Sequence, residues 1–517
     1  MLPSPSSSPV HPHILQNRTN VIDETIAPPP HPFFTQLPTP PKHAGIKRHS
    51  KGSQNEPPIK RLKLSPQAEL ESSSDEEDDF VVKPRTSRHR IHSFGLRDPF
   101  IRAAPAVVST RPILQSFVSS NKSDMFKCQS IDLGAFLTPP YACAYSHNSK
   151  SGRQSLLAVA TEQGSVHLID TRKRLDWDPE PPRTTLQPHT NAIFHVSWSQ
   201  SDERIVTCSG DHSAKIVDVS AREVLHSLRG HTGTVKCAAW NPAHKDLLST
   251  GGRDGTICLW DLRVGENSRQ DDRSILEPVT IIHGAHECLD TKPGRPKNVK
   301  AKSVTNLVYT ASDLLTSSGS FDGILRMWDL RFLTDKKKSK RTKGKKTTPL
   351  HFSETDPTTD HGARARGILS LAQGTFSTSG LLFALGADSR IHTYSTSTLS
   401  PMPMSYTHNN LRANSSFYLN MAVSPCGRWL ASGNGGRDGS CLLFDVASTG
   451  RPFARPEEGI ELKGQIGEVG AVDWADGMLA TCADDGTVRV WRPDIETYTN
   501  CVRSPEEGKW DWSWSLQ

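Results

Sequence analysis

One phrase keeps returning along this chain, and nothing else in the sequence limits the fold so tightly. Thr250-Gly-Gly-Arg-Asp254-Gly-Thr-Ile-Cys-Leu-Trp260-Asp261 comes back as Ser318-Gly-Ser-Phe-Asp322-Gly-Ile-Leu-Arg-Met-Trp328-Asp329, and again as Thr481-Cys-Ala-Asp-Asp485-Gly-Thr-Val-Arg-Val-Trp491. In each copy an Asp stands six residues before the aromatic. Weaker copies keep the frame: Asp211 with Val217-Asp218, Asp388 with Tyr394, Asp438 with Phe444-Asp445, and Gln163-Gly164 with Ile169-Asp170. That makes seven units, roughly 43 to 68 residues apart. Each unit is too small to bury its own apolar surface, so neighbours must stack. Asp-Gly supplies the φ > 0 of a tight turn between antiparallel strands. The strand that follows alternates, with Thr256, Cys258 and Trp260 on one face and Ile257 and Leu259 on the other.

The chain changes character near residue 110. Residues 1–110 are rich in Pro, Ser, His and charge and poor in core-forming side chains, which is why only 35% of the chain is hydrophobic. Such a segment cannot offset its ordering entropy and is expected to be a disordered tail. It carries Lys47-Arg48 and Lys60-Arg61-Leu62-Lys63, with the spacing of a bipartite nuclear import signal; a solvated charge run with no reader is the plainer alternative. Residues 111–497 carry the repeats. Their short alternating runs, set between Gly, Asp, Ser and Asn, predict an all-β sandwich, barrel or propeller, and the repetition selects the propeller. Residues 498–517 form a Trp-rich extension. Trp510, Trp512 and Trp514 alternate there, so in an extended chain all three indoles face one way and are expected to be covered.

These units resemble the WD-repeat family. The resemblance implies a seven-bladed β-propeller in which an upstream His bridges the turn Asp to a Ser or Thr, and on to the Trp. Carried onto this sequence, the third blade supplies His231, Thr250, Asp254 and Trp260, and the fourth His286, Ser318, Asp322 and Trp328. The second supplies His189, Thr207 and Asp211 with Val217 in place of Trp, and the seventh has Gln465 where His is expected. These His and Asp residues are therefore expected to be structural. By analogy with other propellers, the run Ile113 to Val118 is expected to complete the last blade and clasp the ring.

Other function classes find little support. There is no phosphate-cradling glycine loop, no G-x-S-x-G elbow and no metal-ligand spacing, so neither an enzyme nor a cofactor is expected. The ten cysteines include no C-x-x-C pair, and Cys208, Cys237, Cys258, Cys441 and Cys482 read as buried reduced thiols. No run of about 18 apolar residues exists, so no membrane partner is expected. Met1 leads into Pro, Ser and His, unlike a secretory signal. The expected location is the nucleus. The net charge of +6 is too modest to mark the whole chain as a nucleic-acid binder. The run Lys336 to Lys346 is the exception: weak or indirect DNA contact, a second import signal and a solvated insertion all remain open for it.

Two units extend beyond the aspartate, as Trp260-Asp261-Leu262-Arg263 and Trp328-Asp329-Leu330-Arg331, and the first keeps Ile169-Asp170-Thr171-Arg172. Such W-D-x-R boxes resemble those of substrate receptors of cullin 4 ubiquitin ligases. The resemblance implies that Trp260, Asp261, Arg263, Trp328, Asp329 and Arg331 serve adaptor binding. The adaptor would be of the damage-specific DNA-binding protein one type, and Arg suits the task because its planar fork satisfies several oxygens at once. Read in order, His189 to Trp198, Val206 to Lys215, Thr250 to Gly255, Gly284-Ala-His286 and the insertion Thr291 to Lys302 resemble the denticleless family of receptors. That resemblance covers about residues 130–495 and implies recruitment of sliding-clamp-bound proteins, such as the replication-licensing factor, for ubiquitination in S phase or after DNA damage. One departure stands out: animal members carry a clamp-binding segment in a tail after the propeller. No Q-x-x-Φ-x-x-aromatic-aromatic box is found here, and Phe33-Phe34 lacks the residues required upstream. The rival reading is a WD-repeat scaffold or histone-binding chromatin-assembly protein, which an acidic top face would favour.

Overall fold

Each repeat folds as a meander of short antiparallel strands, and the third shows the pattern. Val235–Trp240, Leu247–Gly252, Ile257–Asp261 and Thr280–Ile282 pair in that order from the inside outwards. The turn before Ile257–Asp261 needs the left-handed conformation, and Gly255 takes φ +77°. Gly164 and Gly486 do the same in their repeats, at +81° and +78°. In two weaker copies a side chain is forced into this region instead: His212 has φ 67° and Ser389 φ 62°. The computed structural model describes residues 109–132, 136–265, 274–287, 302–332, 348–413, 418–451 and 455–516. The import-signal residues Lys47, Arg48, Lys60, Arg61 and Lys63, the expected tail apart from Ser109 and Thr110, and the loop 336–346 lie outside them.

The architecture is an all-β WD-repeat propeller. Five separate sheets of four or five strands form blades, and a sixth sheet holds ten strands. The innermost strands pack side by side in sequence, from Pro140–Tyr145 through Ile193–Trp198, Val235–Trp240, Val304–Ala311, Ile368–Gln373 and Met421–Val423 to Val469–Ala475, which returns to Pro140–Tyr145. Burial follows from that stacking. Second strands such as Leu156–Thr161, Leu247–Gly252 and Met478–Ala483 are buried at every position after the first, because a neighbouring blade covers each face. Most inner strands are less fully covered, since their channel side is open, although Val469–Ala475 is buried throughout. Indoles staple blade to blade: Trp198 Nε1 donates to Ala144 O at 2.8 Å, Trp240 to Ser197 O at 3.3 Å and Trp474 to Ala422 O at 3.1 Å.

The ten-stranded sheet corrects the expectation of seven separate blades. It contains two four-strand series, Met421–Val423 to Ile460–Lys463 and Val469–Ala475 to Thr487–Pro493 with Phe117–Ser120, and Met125–Lys127 pairs with Thr487–Pro493 as well. The strand Trp512–Leu516 lies between Ile460–Lys463 and Phe117–Ser120, antiparallel to both, and fuses the series. The clasp therefore comes from both sides. Phe117 pairs with Pro493 and Val118 with Arg492, as the analogy anticipated, but Arg111–Gln115 just before them is a short helix. Thr110, assigned to the tail by composition, is buried and donates through N and Oγ1 to Asp445 Oδ2 at 2.9 and 2.6 Å. The Trp-rich segment is not extended throughout: Trp510 lies in helix Pro505–Asp511 and is 74% exposed, whereas Trp512 and Trp514 lie in the bridging strand, half-buried. Cys208, Cys237, Cys258, Cys441 and Cys482 are buried thiols, as expected.

Candidate functional site

The conspicuous His and Asp residues are engaged inside the blades. In the third blade Trp260 Nε1 donates to Thr250 Oγ1 at 2.8 Å, that hydroxyl lies 2.8 Å from His231 Nε2, and His231 Nδ1 lies 3.1 Å from Asp254 Oδ2. The second blade repeats this without a Trp: His189 Nε2 meets Thr207 Oγ1 at 2.9 Å and Nδ1 meets Asp211 Oδ2 at 2.7 Å, while Val217 is buried in the aromatic position. Burial pushes the carboxyls of Asp211 and Asp254 up, but the imidazole and the hydroxyl of Ser213 or Thr256 outweigh it and hold both below the usual range. In the seventh blade Gln465 replaces His. Its Oε1 accepts from Thr481 Oγ1 at 2.6 Å, and Trp491 Nε1 donates to the same hydroxyl at 3.0 Å. Asp485 is reached through Thr487, which bonds both residues.

The fourth blade departs from the expected set. His286 Nε2 meets Ser317 Oγ at 2.9 Å, and Trp328 Nε1 donates to the same atom at 2.9 Å. Ser318, chosen by counting back from Asp322, bonds Thr305 instead. The strand register explains this: Thr250 pairs with Cys258 and Ser317 with Arg326, but Ser317 stands five residues before its Asp where Thr250 stands four before. One extra residue in the turn moves Asp322 out of reach. His286 Nδ1 and Asp322 Oδ1 have no hydrogen-bond partner, and Asp322 Oδ2 lies 3.8 Å from Lys302 Nζ. Burial, with Arg326 and Lys302 nearby, holds His286 well below the ordinary imidazole range.

The W-D-x-R boxes divide by direction. Trp260 and Trp328 turn inward and are each 2% exposed. The aspartates grip their own arginines: Arg263 Nε and Nη2 donate to Asp261 at 2.9 and 2.8 Å, and Arg331 donates likewise to Asp329 at 3.0 and 2.6 Å. Arg172 holds Asp170 in the same manner. The side chains of Arg172, Arg263 and Arg331 stay 78%, 67% and 62% exposed. Each follows the third strand of its meander, so all three belong to one rim. Of the six residues the resemblance assigned to adaptor binding, only the arginines face outwards; the aspartates orient them and the indoles are core. Sequence reasoning missed two side chains here. Val264 and Phe332 are 67% and 70% exposed directly after the two arginines, and the signal was available in an apolar residue following each box.

At the opposite end, where the inner strands begin and the Asp-Gly turns lie, a cavity of about 480 Å³ opens. Tyr141, Phe194, Lys236, Arg253, Glu162 and Tyr418 are among its walls. Among the described residues no cluster of His, Cys, Asp or Glu could hold a metal ion, and no helix is long and apolar enough to cross a membrane.

The repeat class has independent support. The WD domain, G-beta repeat family matches residues 180–218, 222–261, 407–445 and 460–492. Denticleless protein homolog A of Xenopus laevis is 32% identical over 72% of this chain, and the human Denticleless protein homolog 30% identical over 68%. Protein lethal(2)denticleless of Drosophila melanogaster is 30% identical over 71%. The protein belongs to the Denticleless family of WD-repeat proteins. It spans about half the length of these curated relatives, 50% of the first and 46% of the other two.

Proposed function

We propose that this protein is the substrate receptor of a cullin 4-type RING ubiquitin ligase, and that it is not itself an enzyme. The observation that carries this is the shared presentation of Arg263 and Arg331, each locked by two hydrogen bonds to its own aspartate yet mostly exposed on one rim. A pre-oriented, exposed guanidinium loses little freedom on docking against an adaptor's carbonyl or carboxylate oxygens. The adaptor is of the damage-specific DNA-binding protein one type, bound in turn to cullin 4. Recruited proteins are sliding-clamp-bound factors, among them the replication-licensing factor, marked for proteasomal degradation in S phase or after DNA damage in the nucleus. In this reading the ten-stranded sheet counts as two blades, and the ring has seven.

The rival, a scaffold or histone-binding chromatin-assembly protein, would be favoured by an acidic top face. Among the described residues the channel mouth is mixed in charge, with Lys236 and Arg253 lining it together with Glu162. Affinity capture of the tagged full-length chain, wild type beside Arg263→Ala/Arg331→Ala, followed by mass spectrometry, tests the receptor reading. Adaptor and cullin are expected with the wild type and not with the variant. Histones captured with no adaptor in either sample would overturn it.

A further inference from the structure

The channel mouth is built by a device repeated around the ring. In six inner strands the pairing register slips by one residue near the start: at Pro140/Ala142, Ile193/His195, Val235/Cys237, Val304/Asn306, Ile368/Ser370 and Val469/Ala471. A β-bulge of this kind takes one residue out of the ladder and re-aims its side chain. The residues skipped are Tyr141, Phe194, Lys236, Thr305, Leu369 and Gly470, and the first five line the cavity. Gly470 serves differently. A Cβ there would lie 2.5 Å from the ring of Tyr418, so the missing side chain is what lets Tyr418 enter the mouth.

The result is a graded wall. Lys236 Nζ sits 4.4 Å from the centroid of Phe194, Phe194 stacks on Tyr141 at 5.8 Å with planes 6° apart, and Tyr141 meets Tyr418 at 4.6 Å. Tyr418 Oη donates to Asp484 Oδ1 at 2.9 Å. One end of the stack is therefore cationic, with Arg253 beside Lys236, and the other end is flanked by Glu162 and Asp484. None of these aromatic rings is needed to fill a blade interior, since all three stand half-buried in the mouth.

We propose that this mouth is a docking pocket for a peptide segment of the recruited protein that carries an acidic side chain next to an apolar one. The carboxylate goes to Lys236 and Arg253, and the apolar neighbour to the Tyr141–Phe194–Tyr418 stack. Charge complementarity fixes the direction, because a second acidic residue at the tyrosine end would meet Glu162 and Asp484. The cationic end is also primed for it. Burial, then Arg253, brings the Lys236 ammonium down to about 8, and a carboxylate brought beside it favours the charged form. The assignment rests on the receptor reading, since it takes the occupant to be a recruited protein.

The test uses the full-length chain and two fluorescent random-peptide libraries, one with a fixed Glu-Phe pair and one with a fixed Lys-Phe pair. The Glu-Phe library is expected to bind more tightly by anisotropy. Lys236→Met, which keeps the apolar stem, weakens it by about tenfold or more, and Lys236→Arg keeps most of the affinity. Arg253→Gln, at an exposed turn position, gives a weaker loss in the same direction without endangering the fold. Preference for the Lys-Phe library, or binding unchanged in both Lys236→Met and Arg253→Gln, would overturn the proposal. Adaptor capture measured on the same preparations separates the two ideas. Adaptor bound without any peptide preference sinks only the pocket, whereas peptide preference without adaptor sinks the receptor reading.

Discussion

In the third blade the imidazole of His231 closes a relay from Trp260 through Thr250 to Asp254; in the fourth, His286 reaches Ser317 and Trp328 and stops there. The two blades share a four-strand meander, an inward Trp and an outward Asp–Arg fork. They differ by one residue in a turn. The half of the relay tied to the strands, hydroxyl and indole, survives the insertion because its geometry comes from cross-strand pairing. The half tied to the turn does not survive. The carboxylate is thus a local reinforcement of the turn, while the hydroxyl–indole pair is common to both blades.

Four measurements sharpen or break that contrast. The largest effect is expected from the shared half: Trp260→Ala and Trp328→Ala should each cost about 3–5 kcal/mol and lower the urea midpoint alike. A much smaller loss for Trp328 would show that the fourth blade is held in some other way. Next, Asp254→Ala should cost about 1–3 kcal/mol by stranding His231 and Thr256, whereas Asp322→Ala should cost close to nothing. Equal losses would break the comparison.

The pH responses of the two aspartates should then oppose each other. Asp254 is held below its ordinary range, so its contribution is present above its unfolded value of about 3.9 and is lost as pH falls through the folded value. Burial raises Asp322 and Lys302 and Arg326 only partly offset it, so its contribution is present below about 3.9 and is lost as pH rises through the folded value. Melting temperatures followed between about pH 3 and pH 7 should therefore show Asp254→Asn losing part of the acid-side decline. Asp322→Asn should gain relative to wild type towards neutral pH, and parallel curves for all three proteins would contradict this. The smallest effect concerns the rim. Arg263→Ala should leave the urea midpoint close to the wild-type value, because an exposed fork contributes little, and Arg331→Ala should lower it slightly more, because it strands the buried Asp329 carboxylate, so adaptor capture is compared at equal folded fraction.

How far the sequence can be read follows the same division. Motifs anchored on strands were legible: Trp260 and Trp328 could be placed from alternation and spacing, and the hydroxyl of Thr250 and the arginines after the boxes from the family resemblance. Features set by turns and bulges were not. Ser317 was displaced to Ser318 because a count back from Asp322 cannot register an inserted turn residue. The bulged residues Tyr141, Phe194 and Lys236 belong to different repeats, and only the closed ring brings them together. The fusion of two strand series by Trp512–Leu516 was hidden as well, since the alternating tryptophans suggested a separate extension and pairing partners hundreds of residues away leave no local pattern.

That bridging strand also sets the order in which the molecule can mature. Ser513 Oγ bonds Asn121 across 392 positions and Ser515 Oγ bonds Gln115 across 400, so the seam joins segments from opposite ends of the propeller sequence. Loop closure over such a separation comes late and slowly. Until residues 512–516 arrive, Ile460–Lys463 and Phe117–Ser120 each present an open strand edge, which is the form of surface most ready to pair with another chain. The interval before the seam closes is therefore when a nascent molecule is most exposed to misassembly, and its most vulnerable place is this seam, not the blades between.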